Sequence, residues 1–196
     1  LYNASNTWIA SVWRCAYQAL DRANVAIASI EAMSGFAENK NLQEIDGQAR
    51  FLRAYIAFDL VKFFGDVPFS TEYTNGFANT SKPRTDRELI YDQIIEDLNY
   101  AKTYLKSGRE VASSEIPCSG AAHTLLMRVY LQRAGYSLNC SSRQLTRPDD
   151  TTRKGYFEAV IKEWEALKAE GYHDFYAGGY EQLFKNYSQL DRKSVV

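Results

Sequence analysis

Apolar residues recur with the period of an α-helix through most of the chain. In the first segment they follow one another at alternating spacings of four and three residues, at Ile9, Trp13, Ala16, Leu20, Ala23, Ile27 and Ile30. Residues at these spacings lie on one face of a helix. The pattern therefore predicts a first helix of about seven turns, with Asn6 or Thr7 as its N-cap and Gly35 just beyond its end.

A second helix is predicted from about Leu42 to Phe64. The apolar residues along one side of it are Ile45, Ala49, Leu52, Ile56 and Phe63. Aromatic residues line another side, so we expect this helix to be largely buried. It is expected to end at Gly65, which tolerates a left-handed cap, shortly before Pro68, which cannot continue a helix.

Three more helices are predicted, separated by polar loops over residues 66–85, 107–117 and 135–152. Thr85 and Glu88 are spaced as a capping box at the start of the third helix, and Ser119 is the predicted N-cap of the fourth. The apolar residues at heptad spacing in the third helix are Tyr91, Ile94, Leu98, Ala101 and Leu105. The fifth helix, which carries Phe157, Val160, Ile161, Trp164 and Leu167, should end at Gly171. No β-hairpin is predicted, and a short helical stretch is expected between Tyr172 and Phe184.

These elements predict a mainly all-α fold. The helices should form antiparallel pairs in a tetratricopeptide-like scaffold with long loops, and Ala54 and Phe58 match the Ala/Phe part of that repeat pattern. We expect residues 1–196 to be a single helical domain of a longer protein. The chain begins at Leu1 without a signal peptide or a lipobox cysteine, and it stops within an apolar segment.

The composition excludes several classes of protein. Lys and Arg number 23 against 24 Asp and Glu, and this balance argues against attraction to nucleic acid or acidic lipid. The longest apolar stretches are far short of a membrane span. Cys15, Cys118 and Cys140 are odd in number and widely spaced, so they make neither a disulfide framework nor a metal site. A Cys118–Cys140 disulfide would need an oxidising compartment, and three free thiols are the favoured prediction.

The sequence offers little for catalysis. The only histidines are His123 and His173, and they lie in different contexts. Glu96 and Asp97 are adjacent on a predicted helix and therefore point about 100° apart, too far to share a substrate proton. Motifs for a serine nucleophile, a phosphate loop, a zinc protease or a dinucleotide site are absent. We therefore predict no enzyme activity, no metal and no cofactor.

The aromatic content suggests a different kind of site. Tyr, Phe and Trp make up 14% of the chain, and several of them stand beside Asn in loops or at a helix start. An aromatic ring can stack on the apolar face of a sugar while an amide bonds its hydroxyls. The candidate ligand-binding residues are Asn3, Asn6, Trp8, Tyr73, Asn75 and Phe77. The alternative for Trp8 and Phe77 is that they cover the core at a helix end.

A specific run of residues adds a family resemblance. It reads Gly47-Gln48-Ala49-Arg50-Phe51-Leu52-Arg53-Ala54-Tyr55, then Phe58-Asp59-Leu60-Val61, then Phe64-Gly65-Asp66-Val67-Pro68. This run resembles the signature helix of the SusD/RagB family of outer-membrane nutrient-binding lipoproteins. Segments before and after it resemble the same family in the same order, so the resemblance covers essentially all 196 residues.

The resemblance implies a non-catalytic glycan-binding protein at the outer face of the outer membrane of a Gram-negative bacterium. It implies delivery of glycans to a SusC-like TonB-dependent transporter, and attachment to the membrane only through a lipid anchor on the precursor. Arg50, Arg53 and Asp66 would tie helix ends and loops together rather than touch sugar.

Two other functions stay open. The RagB branch implies a peptide ligand, which an exposed backbone-pairing groove would favour. The helical region could instead dock on the transporter without touching a ligand, in which case the aromatic residues of the 66–85 loop should be buried or face a protein. Stacked aromatic rings flanked by amides would favour sugar.

Overall fold

The fold was obtained as a computed structural model, which describes residues 6–76, 81–113, 115–139, 142–173 and residue 181. Within these ranges five α-helices follow one another: α1 (Thr7–Glu31), α2 (Lys40–Phe64), α3 (Arg87–Tyr104), α4 (Ser119–Arg133) and α5 (Asp150–Ala169). Each helix packs against the next, and a short 3-10 turn (Phe36–Glu38) lies between α1 and α2. The predicted mainly all-α fold is confirmed.

The first two helices begin and end where local chemistry requires. The Asn6 side-chain oxygen accepts hydrogen bonds from the backbone N–H of Trp8 at 3.0 Å and of Ile9 at 3.3 Å, which confirms it as the N-cap of α1. Asn39 caps α2 in the same way. Gly65 ends α2 with φ at 70°, a left-handed value that favours glycine.

The core lies where α1 to α4 meet. Its fully buried apolar side chains come mostly from α2, α3 and α4, and Leu20 joins them from α1. The heptad residues of α3 are all buried, as predicted: Tyr91, Ile94, Leu98, Ala101 and Leu105. Val67, at the start of the long loop, is also completely buried, so the loop is fixed to the core at its first turn.

One side of α2 differs from the prediction. Ile45, Leu52 and Phe63 were expected to be buried, but about half or more of each side chain is exposed. The helix buries the sides that face α1 and α3, and its contact with α4 is small, so a third side stays open. The expectation that α2 is largely buried is therefore wrong for this side.

The cap of α3 is Asp86 rather than Thr85. The Asp86 carboxylate accepts a hydrogen bond from the Glu88 backbone N–H at 2.8 Å. Thr85 lies one residue before the cap. Its N–H donates to the Val67 carbonyl at 2.9 Å, in an isolated antiparallel bridge that closes the long loop. The Glu88 side chain pairs with Arg133 at 2.8 Å, so no capping box forms with Thr85.

The start of α4 also differs from the prediction. Cys118 occupies the N-cap position without a side-chain hydrogen bond, and Ser119 is the first helical residue. The Ser119 hydroxyl donates to the Glu170 carboxylate at 2.7 Å. The Ser119 hydroxyl therefore links α4 to the end of α5 and does not cap α4.

A small β-hairpin contradicts the prediction that there is none. Its strands are β1 (Ser137–Leu138) and β2 (Leu145–Thr146), paired antiparallel. Its turn places Arg143 at φ 56° in the left-handed region, where hairpin sequences usually have Gly or Asn. The usual sequence signal for a hairpin is thus missing.

The fifth helix buries less of its apolar surface than its sequence suggests. Leu167 is buried, whereas Phe157, Ile161 and Trp164 are substantially exposed. Asp149 caps the helix, and Gly171 ends it with φ at 64°.

Two of the three thiols lie in the described residues. Cys15 is exposed, Cys118 is buried, and both are free. Cys140 lies outside the described residues, as does most of the stretch from Tyr172 to Phe184. Among the helices that the structure describes, none is both long and apolar enough to cross a membrane.

Candidate ligand-binding site

A cleft of about 450 Å³ lies between α1 and the long loop that follows α2. We call it the α1 cleft. From α1 it is lined by Trp13, Tyr17, Leu20, Asp21 and Asn24, and from the loop by Pro68, Phe69, Ser70, Glu72, Thr74, Ser81 and Lys82. The cleft therefore combines aromatic rings with carboxylate, amide, hydroxyl and ammonium groups.

Aromatic rings form one wall of the α1 cleft. The Trp13 ring centroid lies 4.8 Å from that of Tyr17, with the rings tilted by 43°. It also meets Phe64 edge to face at 4.9 Å, with an interplanar angle of 86°. Edge-to-face and tilted contacts are favourable for aromatic rings, so this wall is held firmly in place.

Tyr17 ties this wall to the loop. Its hydroxyl donates to the Pro68 carbonyl at 2.7 Å. Burial raises the pKa of Tyr17 to about 12, with Arg84 acting in the opposite direction. The hydroxyl therefore stays protonated and keeps donating at every physiological pH.

Two polar residues of α1 hold the opposite wall. Asp21 accepts a hydrogen bond from the Thr74 backbone N–H at 2.7 Å. Asn24 is buried, and its side-chain nitrogen donates to the carbonyls of Ser70 at 2.9 Å and Glu72 at 3.2 Å. With the bond from Tyr17, four side-chain hydrogen bonds from α1 thus fix the loop backbone to the helix.

A buried ion pair lies beneath the cleft. Arg53 on α2 donates to both carboxylate oxygens of Asp97 on α3, at 2.7 and 2.6 Å. Its remaining terminal nitrogen donates to the Asn24 side-chain oxygen at 3.2 Å. One guanidinium therefore joins three helices, and through Asn24 it reaches the loop.

Arg50 extends the same network. It donates to Asp46 at 2.8 Å and to Asp97 at 3.3 Å, and it also pairs with Glu31 of α1. Its guanidinium lies 4.4 Å from the centre of the Tyr100 ring. Burial raises the pKa of Asp46, and the bond from Arg50 opposes that rise.

Asp66, at the end of α2, accepts from the Arg87 side chain at 2.9 Å, and Arg87 also donates to the Leu138 carbonyl. Arg50, Arg53 and Asp66 thus all bond to protein groups, in agreement with the scaffold role that the resemblance implies.

The structure describes four of the six predicted ligand-binding residues. Asn6 uses its side-chain oxygen as the cap of α1, and Trp8 projects outward with 81% of its surface exposed. Trp8 therefore does not cover the core. Tyr73 and Asn75 are exposed and flank Thr74, which lines the cleft. Asn3 and Phe77 lie outside the described residues, and the role of all six in binding stays a prediction.

The helix side of the cleft was not predicted from the sequence. Trp13 packs against the core, as predicted, and it also lines the cleft. Asp21 and Asn24 were not predicted as ligand-site residues. Their spacing carries a signal, because Tyr17, Asp21 and Asn24 recur at four and three residues beside the apolar stripe. A buried polar residue such as Asn24 needs hydrogen-bond partners, which here are two loop carbonyls and Arg53.

A second cavity, of about 570 Å³, lies between α2 and the loop that precedes α4. It is mainly apolar, and Phe51, Tyr55, Pro117 and Tyr172 contribute to its lining. Its scarcity of polar groups makes it a poorer match for a sugar than the α1 cleft.

A polar cluster joins α3, α4 and α5. The buried Glu163 carboxylate accepts from Lys102 at 2.7 Å and contacts His123 Nδ1 at 2.5 Å. Burial alone would raise the pKa of Glu163, but the hydrogen bonds from His123 and Lys102 hold it below its usual value. In the part of the chain that the structure describes, no group of three or more His, Cys, Asp or Glu residues is arranged to hold a metal ion.

The successive packed helices, the long loop and the aromatic cleft define a helical scaffold with a candidate ligand-binding cleft. Residues 1–131 match a SusD-like family described as starch-binding and associating with the outer membrane. The chain belongs to this SusD-like family. It is 30% identical over 132 residues to SusD-like protein P2 of Formosa agariphila, covering 67% of the chain and 25% of that protein.

Solved structures show the same fold. A crystal structure determined with a xylogluco-oligosaccharide matches all of this chain with a TM-score of 0.76 and 25% identity, over 36% of its own length. A laminarin-binding SusD-like protein matches 76% of this chain with a TM-score of 0.58 and 25% identity, over 29% of its own length. The chain spans about a quarter of the length of the curated relatives it matches.

Proposed function

We propose that the protein is a non-catalytic glycan-binding protein of the bacterial cell surface, and that the α1 cleft supplies part of its ligand surface. The observation that carries this proposal is the aromatic wall of Trp13 and Tyr17 facing the hydrogen-bonding groups of the loop. This combination suits a sugar, whose apolar face needs a ring and whose hydroxyls need polar partners.

The family relatives support the same class of ligand. One related structure contains a xylogluco-oligosaccharide, and another is named for binding laminarin. The family description adds starch. We therefore propose a neutral oligosaccharide or polysaccharide as the ligand class, bound by a longer protein in which residues 1–196 form one helical domain.

The proposed setting is a glycan-uptake system of the outer membrane. The family description associates its members with that membrane. We propose that the precursor carries a lipid anchor and that the mature protein delivers its ligand to a SusC-like TonB-dependent transporter. The exposed apolar residues of α5, Phe157, Ile161 and Trp164, are suitable for contact with another protein surface.

That exposed face also favours a second candidate, in which this region docks on the transporter without touching ligand. Tyr73 argues for ligand contact because its ring is partly exposed in the long loop. A peptide ligand has less support, because the strands in the described residues are only two residues long and offer little edge for backbone pairing.

Calorimetric titration of the full-length protein tests the proposal. The panel consists of maltoheptaose, xylogluco-oligosaccharide and laminarin, each tested against the folded protein. We expect a saturable binding heat with at least one of them. Copurification of an outer-membrane transporter in the absence of any binding heat would favour the docking candidate, and the absence of both would refute the proposal.

A further inference from the structure

Asn24 lies at the junction between the α1 cleft and the buried ion pair beneath it. Its side chain is almost completely buried, and its amide nitrogen donates to two carbonyls of the loop, those of Ser70 and Glu72. These two residues line the cleft on either side of Thr71. A single side-chain amide of α1 therefore holds the loop backbone at two points.

Arg53 determines which way this amide faces. A guanidinium can only donate hydrogen bonds, so the amide oxygen of Asn24 must point to Arg53, which approaches it at 3.2 Å. The amide nitrogen then points to the loop carbonyls. Asp97 fixes Arg53 in turn through two short hydrogen bonds, so the orientation of Asn24 is set from α3 through α2.

The loop segment held by Asn24 also carries other cleft contacts. Lys82, from the returning arm of the loop, donates to the Ser70 hydroxyl at 2.6 Å. Two residues beyond Glu72, the Thr74 N–H donates to Asp21. The backbone at residues 70–72 thereby places groups from both arms of the loop around the cleft.

We infer that Asn24 is the positioning residue of the α1 cleft, and that Arg53 acts on ligand binding through it. The inference rests on the proposed function, because it assigns to Asn24 the task of holding the loop in its ligand-binding shape. Asn24 itself need not touch the ligand.

The isosteric substitution Asn24→Asp separates this role from general stability. The new carboxylate still accepts from Arg53, but it cannot donate to the carbonyls of Ser70 and Glu72. The matched control is Asn41→Asp, which makes the same chemical change at an exposed position in the first turn of α2. Both substitutions are made in the full-length protein.

Two measurements are made on each variant. Hydrogen exchange should become about tenfold faster in peptides covering residues 70–76 of Asn24→Asp, and should accelerate by a smaller factor in peptides covering α1, α2 and α3, where local opening does not break the contacts of Asn24 with the loop. For any glycan of the panel that the original protein binds, the affinity of Asn24→Asp should fall about tenfold. The control should change neither quantity.

Three results would overturn the inference. Unchanged exchange at residues 70–76 would show that Asn24 does not hold the loop. Equal acceleration of exchange in the helices would show that Asn24 stabilises the fold in general. Faster exchange in the loop without any loss of glycan affinity would show that the shape of the loop does not affect binding. If the original protein binds no glycan of the panel, the proposed function fails, and the exchange data alone decide whether Asn24 sets the shape of the loop.

Discussion

Arg53 on α2 and Asp97 on α3 form a buried pair joined by two hydrogen bonds, with 2.7 Å from Nε to Oδ2 and 2.6 Å to Oδ1. Both residues are almost completely removed from solvent. The third contact of the same guanidinium, with Asn24, links this pair to the cleft. The two residues thus connect the scaffold of the fold with its candidate binding site.

Arg53→Lys should destabilise the protein by about 3 kcal/mol, because lysine cannot reproduce the two-pronged contact and leaves buried groups of Asp97 and Asn24 unpaired. Urea unfolding of the full-length protein measures the loss. Lys154→Ala is the control, since it breaks an exposed ion pair with Glu158 and should cost less than about 1 kcal/mol. Equal losses for the two variants would contradict a structural role for the Arg53–Asp97 pair.

The acid stability of the protein should depend on Glu163. Its pKa is lowered in the folded state, so as the pH falls the unfolded chain takes up a proton at this group first. The stabilisation is therefore complete above the ordinary pKa of a glutamate carboxyl, about 4.3, and is lost as the pH falls through the lower pKa of Glu163 in the folded state. Glu163→Gln should reduce the free energy of unfolding at pH 7. In this variant the free energy of unfolding should also decrease less as the pH is lowered into the acid range.

The measurement for Glu163 is the free energy of unfolding as a function of pH, compared between the original protein and Glu163→Gln. The difference between the two curves isolates this group from the other carboxylates. A difference that stays constant from pH 7 to pH 3 would mean that the contacts with Lys102 and His123 do not favour the ionised form.

The cap of α3 gives a local test of the structure. Asp86→Ala should cost about 1 kcal/mol, because the N–H of Glu88 loses its acceptor. Asp86→Asn retains a side-chain oxygen and should stay within about 0.5 kcal/mol of the original protein. Urea midpoints distinguish the two variants, and equal stability of Asp86→Ala and Asp86→Asn would exclude the cap.

Features that depend on neighbours in the sequence were predictable. The N-cap at Asn6 and the end of α2 at Gly65 follow from side chains and backbone freedom within one helical turn. The heptad of α3 was equally clear, since one continuous stripe faces the core. The signature run indicated that Arg53 belongs to the scaffold, but it did not identify Asp97, which lies 44 residues away, as its partner.

The remaining features depend on contacts between distant segments. Thr85 lost its predicted role as a cap because its N–H pairs with Val67, across the whole long loop. The hairpin escaped prediction because Arg143 takes the left-handed position without a glycine signal. The helix side of the cleft could not be predicted because it depends on how the long loop packs against α1. There Asp21 and Asn24 bind the loop backbone.

The most direct test of the central claim is a calorimetric titration of Tyr73→Ala, in the full-length protein, with the glycan that the original protein binds. Tyr73 is partly exposed next to the cleft-lining Thr74, so its removal should leave the fold intact. We expect the affinity to fall about fivefold, whereas Tyr136→Ala, which removes an exposed tyrosine near the hairpin, should leave the affinity unchanged. Equal affinities for both variants would contradict ligand contact at this loop, and a folded original protein that binds no glycan would contradict the account as a whole.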